Sequence, residues 1–178
     1  SAYLPNSLCS DITFLSISFK IYLFPLEFRN ELHKELGKYA DKPEQLLDEL
    51  YKIIDSYNLS CSYRGINVSK EIKKKYVKTY YSKYNKEAYL NMRADYNKNK
   101  NNTLLLYLLL IYGFNHMIRF NSKGDFNLPV GNVDFNKNVY NALMNYLDFR
   151  KNNEIVFENC DYKNFFKKFD YENKTYYV

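Results

Sequence analysis

Residues 104–135 read LLLYLLLIYGFNHMIRFNSKGDFNLPVGNVDF, an all-apolar segment followed by a loop rich in Asn, Gly and Pro. Asn101 or Asn102 can cap a helix from Thr103 to Tyr112, and Gly113 can end it in a left-handed conformation. A membrane span needs about 20 apolar residues. This shorter helix is therefore predicted to lie at the centre of a core.

The residues after Gly113 predict a short β-hairpin. Residues 117–120 alternate weakly, residues 121–125 have the composition of a turn, and residues 126–128 can return as a second strand before Pro129 prevents further pairing. A hairpin attached to a buried helix would project from a rigid support. Its amide and cationic side chains suit phosphates or base edges: Asn115, Arg119, Asn121, Lys123 and Asn127.

Positive charge is concentrated just before this stretch. The whole chain has a net charge of +6. Residues 64–100 alone hold eleven basic and three acidic residues, so the excess of positive charge lies within this segment. Such a segment attracts duplex phosphates, although a solvated, lysine-rich helix face would have the same composition. Its place beside the loop favours DNA binding, with Lys74 and Lys78 as phosphate contacts.

Local signals predict further helices. Residues 26–39 can form one, and Pro43 can open another that continues to Asn58. Ser69 can cap a basic helix that continues to Tyr84, before a short helix over residues 86–95. Asn136 or Asn138 can cap a last long helix that ends at Phe149.

The spacing of residues in the opening stretch resembles a known family. The pattern is Phe114-Asn115-x-Met117-Ile118-Arg119-Phe120-Asn121-x-Lys123-Gly124-x-Phe126-Asn127-x-Pro129-x-Gly131. It resembles the target-recognition hairpin of Dam-type adenine-specific DNA methyltransferases, in the branch with a phage Dam enzyme and the partners of type IIS restriction systems. Tyr89-Leu90-x-x-Arg93 also resembles this family, and the resemblance covers about residues 41–178.

The resemblance implies roles for three side chains at the start of the hairpin. Phe114 matches the aromatic residue that inserts beside the target base, with core packing as the alternative. Asn115 matches the residue that meets the orphaned partner base. Arg119 matches a base reader, since arginine can grip guanine with two hydrogen bonds, and a structural ion pair is its alternative.

Further positions follow from the same resemblance. Met117 and Pro129 match apolar positions that touch base edges, and Lys123 at the tip would contact phosphate. Asn121 either contacts DNA or holds the shape of the hairpin. After Gly131 the family often has a basic or aromatic pair, whereas this chain has Asn132 and Val133, which could mark a different target sequence.

The resemblance also implies S-adenosylmethionine as the methyl donor. Transfer to adenine needs a glycine-rich loop for the cofactor and a polar residue followed by two prolines and an aromatic residue for the flipped base. No two of the four prolines are adjacent, and the five glycines form neither Gly-Gly nor Gly-x-Gly. We therefore expect no methylation and no cofactor binding by this chain alone, and Asp161 and Tyr162 are only weak candidate cofactor contacts.

Together these observations predict an α/β fold, in which a mainly helical target-recognition region with a β-hairpin is attached to an incomplete Rossmann-like methyltransferase sheet. Strands are predicted within residues 12–24, 154–158 and 175–178, and by the resemblance the last of them runs into the catalytic motif. The predicted divisions are residues 1–40 with no family match, 41–62 as a helix of the methyltransferase core, 63–136 as the target-recognition region with its hairpin at 114–131, and 137–178 as part of the catalytic core.

Two functions are consistent with this sequence. The first is a fragment of an adenine-specific DNA methyltransferase, of restriction-modification or phage type, that binds duplex DNA sequence-specifically and needs a complementing chain for catalysis. The second is a non-catalytic sequence-specific DNA-binding module or specificity subunit. A degraded gene product is a third alternative.

The scattered residues Cys9, Cys61 and Cys160 predict neither a metal site nor disulfides, and with no leader or membrane anchor in the sequence they indicate the cytoplasm.

Overall fold

The computed structural model describes residues 26–153 and 163–164, and these residues are mainly helical. No helix among them is both long and apolar enough to cross a membrane. A short 3-10 turn occurs at Ser62–Arg64, and Phe114–His116 form a turn that contains left-handed residues. The α-helices are α1 (Leu26–Gly37), α2 (Pro43–Ser56), α3 (Lys70–Tyr76), α4 (Tyr80–Lys98), α5 (Thr103–Tyr112) and α6 (Lys137–Asn152).

Helix α5 lies at the centre of the core, as its apolar sequence predicts. All residues from Leu105 to Tyr112 are buried, and α1, α2 and α4 pack around them. Asn102 caps the helix, because its side-chain oxygen accepts a hydrogen bond of 3.0 Å from the amide of Leu105. Leu32 of α1 and Leu147 of α6 belong to the same hydrophobic cluster.

Gly113 does not have the left-handed conformation that the sequence predicts. Its φ and ψ are −79° and 157°, and it forms an isolated antiparallel bridge with Val130. The carbonyl of Tyr112, at the end of α5, accepts a hydrogen bond of 2.7 Å from the amide of Gly131. The helix therefore ends by pairing with a distant segment, so it needs no local left-handed cap.

The break in the basic helical region also differs from the prediction. The helix capped by Ser69 ends at Tyr76, and α4 begins at Tyr80. Val77 between them has a φ of 31°, which is unusual for a β-branched residue. Thr79 stabilises the corner, because its amide and hydroxyl both donate to the carbonyl of Tyr76, at 2.7 and 3.2 Å.

The predicted hairpin appears as single antiparallel bridges rather than paired strands within the described residues. Phe120 bridges Phe126, flanked by backbone hydrogen bonds from Asn121 to Asp125 and from Asn127 to Arg119. The next rung would pair the carbonyl of Asn127 with the amide of Arg119. That carbonyl instead accepts a hydrogen bond from Arg119 Nη2, and this contact ends the pairing. The strands predicted at residues 12–24, 154–158 and 175–178 lie outside the described residues.

A buried polar junction joins α4 and α5 to the loop after α2. The amide group of Asn85 accepts from the backbone N–H of Ser60 at 2.9 Å and donates to its hydroxyl at 3.0 Å. The hydroxyl of Tyr112 donates to the carbonyl of Ser60 at 2.7 Å. Since buried polar groups are costly unless paired, these contacts specify one arrangement of the two helices.

The buried tyrosines make the fold sensitive to alkali. Burial raises the pKa of both Tyr96 and Tyr146 to about 12, so the unfolded chain loses these protons first, from about pH 10. We expect stability to be full below about pH 10 and to fall as the pH rises toward 12. Because the chain has no tryptophan, tyrosinate absorbance followed together with far-ultraviolet circular dichroism checks this directly.

A pair of conservative variants tests the cause. The buried hydroxyl of Tyr96 has no hydrogen-bond partner among the described residues, so Tyr96→Phe is expected to raise the alkaline midpoint. Tyr84 is 37% exposed, and Tyr84→Phe should leave the midpoint unchanged. Retention of full helicity while every tyrosine titrates near its ordinary pKa would contradict this explanation.

Candidate nucleic-acid interface

Side chains on one face of α4 hold the returning arm of the 113–131 loop. Residues spaced by four positions lie on the same helix face. The hydroxyl of Tyr89 and Nη1 of Arg93 both donate to the carbonyl of Leu128, at 3.2 and 2.9 Å. Burial raises the pKa of Tyr89, so the phenol stays protonated as a donor. The Tyr89-Leu90-x-x-Arg93 pattern is thus an anchor for the loop.

Two further residues extend this anchor and were missed in the sequence. The side-chain amide of Asn97 both donates to the carbonyl of Phe126, at 3.0 Å, and accepts from its amide, at 2.8 Å. Nζ of Lys100 donates to the carbonyl of Gly124 at 2.7 Å and pairs with Asp125 at 3.0 Å. The hydrogen bond from Lys100 lowers the pKa of Asp125. The spacing 89, 93, 97 and 100 was the available signal, but it does not indicate what those side chains contact.

Asn121 forms the tip of the loop. Its side-chain oxygen accepts hydrogen bonds of 2.9 Å from the amides of Lys123 and Asp125, and its carbonyl accepts from the amide of Gly124. Gly124 has a φ of +74°, a conformation that a residue with a side chain adopts only with strain. Lys123 is exposed at this tip. In the structure, the oxygen of Asn121 shapes the turn.

Apolar side chains are exposed where the loop leaves α5. Phe114 is 51% exposed and Met117 is 42% exposed, so neither belongs to the core. Asn115 and His116 between them have φ values of 54° and 53°, in the left-handed region. Non-glycine residues adopt that region at a cost, and such strain often marks functional sites. The amide of Phe114 donates to the carbonyl of the exposed Pro129 at 2.9 Å, which ties the two ends of the loop together.

Arg119 forms no ion pair with any described residue. Its Nε donates to Oδ1 of Asn127 at 2.9 Å, and its Nη2 donates to the carbonyl of the same residue at 2.8 Å. The side chain is exposed, as are those of Phe114 and Met117 on the same loop. The structural ion pair considered as an alternative is therefore absent from this part of the chain.

The basic side chains that are available to a ligand occupy a shorter segment than the sequence suggested. Arg64 pairs with Asp55 and Lys98 with Asp95, while Arg93 and Lys100 hold the loop. What remains is the lysine corner, residues 70–86, with seven lysines and one glutamate. Its exposed members include the predicted phosphate contacts Lys74 and Lys78.

Aromatic rings lie among these lysines. Nζ of Lys73 lies 5.5 Å from the ring centre of Tyr80, and Nζ of Lys75 and of Lys83 lie 5.3 and 5.7 Å from that of Tyr76. Cation–π contacts of this kind hold ammonium groups near the surface without neutralising their charge. The lysine corner is therefore a concentrated positive surface.

Asn132 joins the lysine corner to the loop. Its side-chain oxygen accepts from the amides of Tyr81 and Ser82, at 3.1 and 3.2 Å, and its nitrogen donates to the carbonyl of Lys78 at 2.6 Å. The side-chain oxygen of Asn132 is therefore the acceptor for two amides in the first turn of α4. Gly131, which precedes it, contacts the backbone of Gly113, so the corner lies beside the base of the loop.

No cofactor or metal position emerges from the described residues. The candidate cofactor contacts Asp161 and Tyr162 lie outside them, and no described residue is assigned to S-adenosylmethionine. Among the side chains that the structure describes, no three from His, Cys, Asp or Glu form a cluster that could hold a metal ion. Cys61 is buried, and burial raises the pKa of its thiol.

Comparison with known proteins connects the chain to methylases. No protein-family model matches it. It is 35% identical over 96 residues to the modification methylase StsI of Streptococcus sanguinis, which is 53% of this chain and 14% of that protein. It is 34% identical over 65 residues to the modification methylase LlaI of Lactococcus lactis subsp. lactis, which is 36% of this chain and 10% of that protein. The chain thus spans a small part of the relatives it matches, and the similarity supports a relationship to DNA methyltransferases.

Proposed function

We propose that this chain carries the target-recognition part of a Dam-type, adenine-specific DNA methyltransferase and binds duplex DNA sequence-specifically. The observation that carries the proposal is the exposed set Phe114, Met117 and Arg119, presented on a loop that α4 holds and that lies beside the lysine corner. The partial similarity to two modification methylases supports it.

The two surfaces suit the two kinds of protein–DNA contact. Phosphate contacts position a protein on the duplex, and base contacts specify the sequence. Lys74 and Lys78 belong to a segment with a large excess of positive charge, which favours phosphates. Arg119 and the exposed ring of Phe114 can reach bases, because arginine hydrogen-bonds guanine and aromatic rings stack on any base.

Methyl transfer itself requires parts that these residues do not contain. S-adenosylmethionine, when bound, would supply the methyl group to the exocyclic nitrogen of a flipped adenine. With no adjacent prolines and no Gly-x-Gly among the 178 residues, we expect this chain alone to bind DNA without methylating it. The missing motifs would come from another part of a longer protein or from a complementing chain.

The test is binding of the purified chain to a pool of random duplexes at two salt concentrations, with the enriched sequences read out. Enrichment of one short, adenine-containing site is the expected result. Salt-sensitive binding without enrichment would leave only a basic surface and would contradict the proposed recognition. Methyl incorporation from labelled S-adenosylmethionine by the chain alone would contradict the expected inactivity.

Two variants should separate the roles of the loop and the lysine corner. Arg119→Ala is expected to relax sequence preference by about 1–3 kcal/mol, because one pair of base contacts is lost. Lys74→Ala is expected to weaken binding to all duplexes similarly and to lower the salt slope by about 1, because it removes one phosphate contact. Affinities for matched and mismatched duplexes at several salt concentrations measure both effects. Equal effects of the two variants on every sequence would refute the assignment.

A second candidate function is a non-catalytic DNA-binding module or specificity subunit. One structural observation favours it: the anchors of the loop, Tyr89, Arg93, Asn97 and Lys100, all lie within the described helical region. Recognition by that region would not depend on a catalytic sheet. The test adds a matching methylase, which supplies the glycine-rich loop and the catalytic motif, to the purified chain. The module is favoured if the chain binds DNA sequence-specifically and this addition produces no extra methylation.

A further inference from the structure

We propose, resting on the proposed DNA binding, that Asn127 is a positioning residue that sets the guanidinium of Arg119 to read one guanine. The two residues lie opposite each other on the two arms of the loop, since the amide of Asn127 donates to the carbonyl of Arg119 at 2.9 Å. The side chain of Arg119 then returns across the loop to the same asparagine. Arg119 and Asn127 are therefore joined by both backbone and side-chain hydrogen bonds.

Asn127 binds one edge of the guanidinium and leaves a second edge available to a ligand. Arginine has five N–H donors in a planar fork. Nε donates to Oδ1 of Asn127 at 2.9 Å and one N–H of Nη2 donates to its carbonyl at 2.8 Å. The end formed by Nη1 and the second N–H of Nη2 makes no hydrogen bond to the described residues. Two parallel donors of this kind match O6 and N7 of guanine in the major groove.

The residues on either side hold Asn127 in place. Phe126 before it is buried and bonded through both backbone groups to the side chain of Asn97. Leu128 after it is buried, and its carbonyl accepts from Tyr89 and Arg93. The position of Asn127 is therefore defined by α4, and through Asn127 the helix also defines the plane of the Arg119 fork.

Such positioning has a direct consequence for recognition. An exposed arginine loses rotamer freedom when it binds, and this loss opposes association. Holding the fork in the free protein reduces that cost and fixes the angle at which the guanine edge is met. Removal of the Asn127 side chain should therefore weaken discrimination at the base pair read by Arg119 and at no other pair.

The experiment uses the duplex enriched by the wild-type chain and a series in which each base pair is changed in turn. Arg119→Ala is expected to reduce discrimination at one G·C pair by about 5- to 150-fold. Asn127→Ala should reduce discrimination at the same pair by roughly 2- to 10-fold, because the carbonyl of residue 127 still holds Nη2. The double variant should match Arg119→Ala alone. Replacing that guanine by 7-deazaguanine, which lacks the N7 acceptor, should weaken the wild type but not Arg119→Ala.

The conservative variant Asn127→Asp provides the control. It keeps an acceptor for Nε, so discrimination at that pair should be retained, while its negative charge weakens binding to all duplexes similarly. Unchanged discrimination in Asn127→Ala, or an equal loss at every position, would overturn the positioning role while leaving the proposed function intact. If the wild-type chain enriches no sequence, the proposed function fails as well. Circular dichroism of each variant confirms that the fold is present.

Discussion

Gly131→Ala is expected to destabilise the chain by about 3 kcal/mol, the upper end of the usual cost of forcing extra atoms into a packed site. A Cβ atom at this position would lie 2.5 Å from the carbonyl oxygen of Gly113 and 2.8 Å from its carbonyl carbon. Both obstructing atoms are backbone, so no side-chain rotation can relieve the contact. The variant must also disturb the hydrogen bond from Gly131 to Tyr112 that ends α5.

Gly124→Ala in the same loop is the matched control. A Cβ atom there would meet only Nζ of Lys100, at 3.9 Å, but the φ of +74° would be strained. We expect a cost of about 1 kcal/mol. Denaturant unfolding followed by circular dichroism measures both variants, and DNA preference should suffer more in Gly131→Ala. If Gly131→Ala lowers the free energy of unfolding no more than Gly124→Ala does, the backbones of Gly131 and Gly113 do not approach each other as closely as the structure shows.

Leu108→Ala is expected to cost about 3–4 kcal/mol of unfolding free energy. Leu108 is 0% exposed on α5, and α1, α2 and α4 all pack against this helix. Truncation removes apolar contacts and leaves a cavity that a helix surrounded on all sides cannot readily fill. Because small domains have only about 5–15 kcal/mol of stability, the loss should be visible as a large shift of the denaturation midpoint.

Two other variants show whether position causes this effect. Leu90 on α4 is 36% exposed, and Leu90→Ala should change stability by about 0.5 kcal/mol or less. Leu108→Met nearly conserves volume and should cost less than about 1.5 kcal/mol. Similar losses for Leu108→Ala and Leu90→Ala would show that α5 is not the centre of the core.

Anchoring of the loop explains why the candidate site was only partly predictable. The pattern of residues 114–131 indicated which side chains to consider, and Phe114, Met117, Arg119 and Lys123 are exposed in the structure. It could not indicate that Asn97 holds Phe126, 29 positions away, or that Asn132 holds Lys78, 54 positions away. Asparagine pairs over such separations leave no periodic trace in the sequence.

The sequence by itself determined where the central helix begins and which residues form it. The run from Thr103 to Tyr112 and the capping group of Asn102 act locally, within one or two turns, so they need no knowledge of the fold. The same is true of Pro43 at the start of α2 and of the Asn136 cap of α6. Each is a short-range preference of backbone geometry or hydrogen bonding.

Only the tertiary structure decided how these elements meet. Gly113 is extended because its neighbours pair with residues near Gly131, and the ladder between Arg119 and Asn127 stops because a side chain replaces a backbone donor. The helix break at Val77 accompanies the clamp that Asn132 makes on the start of α4. These features depend on the balance between competing hydrogen-bond partners that only the folded chain brings together.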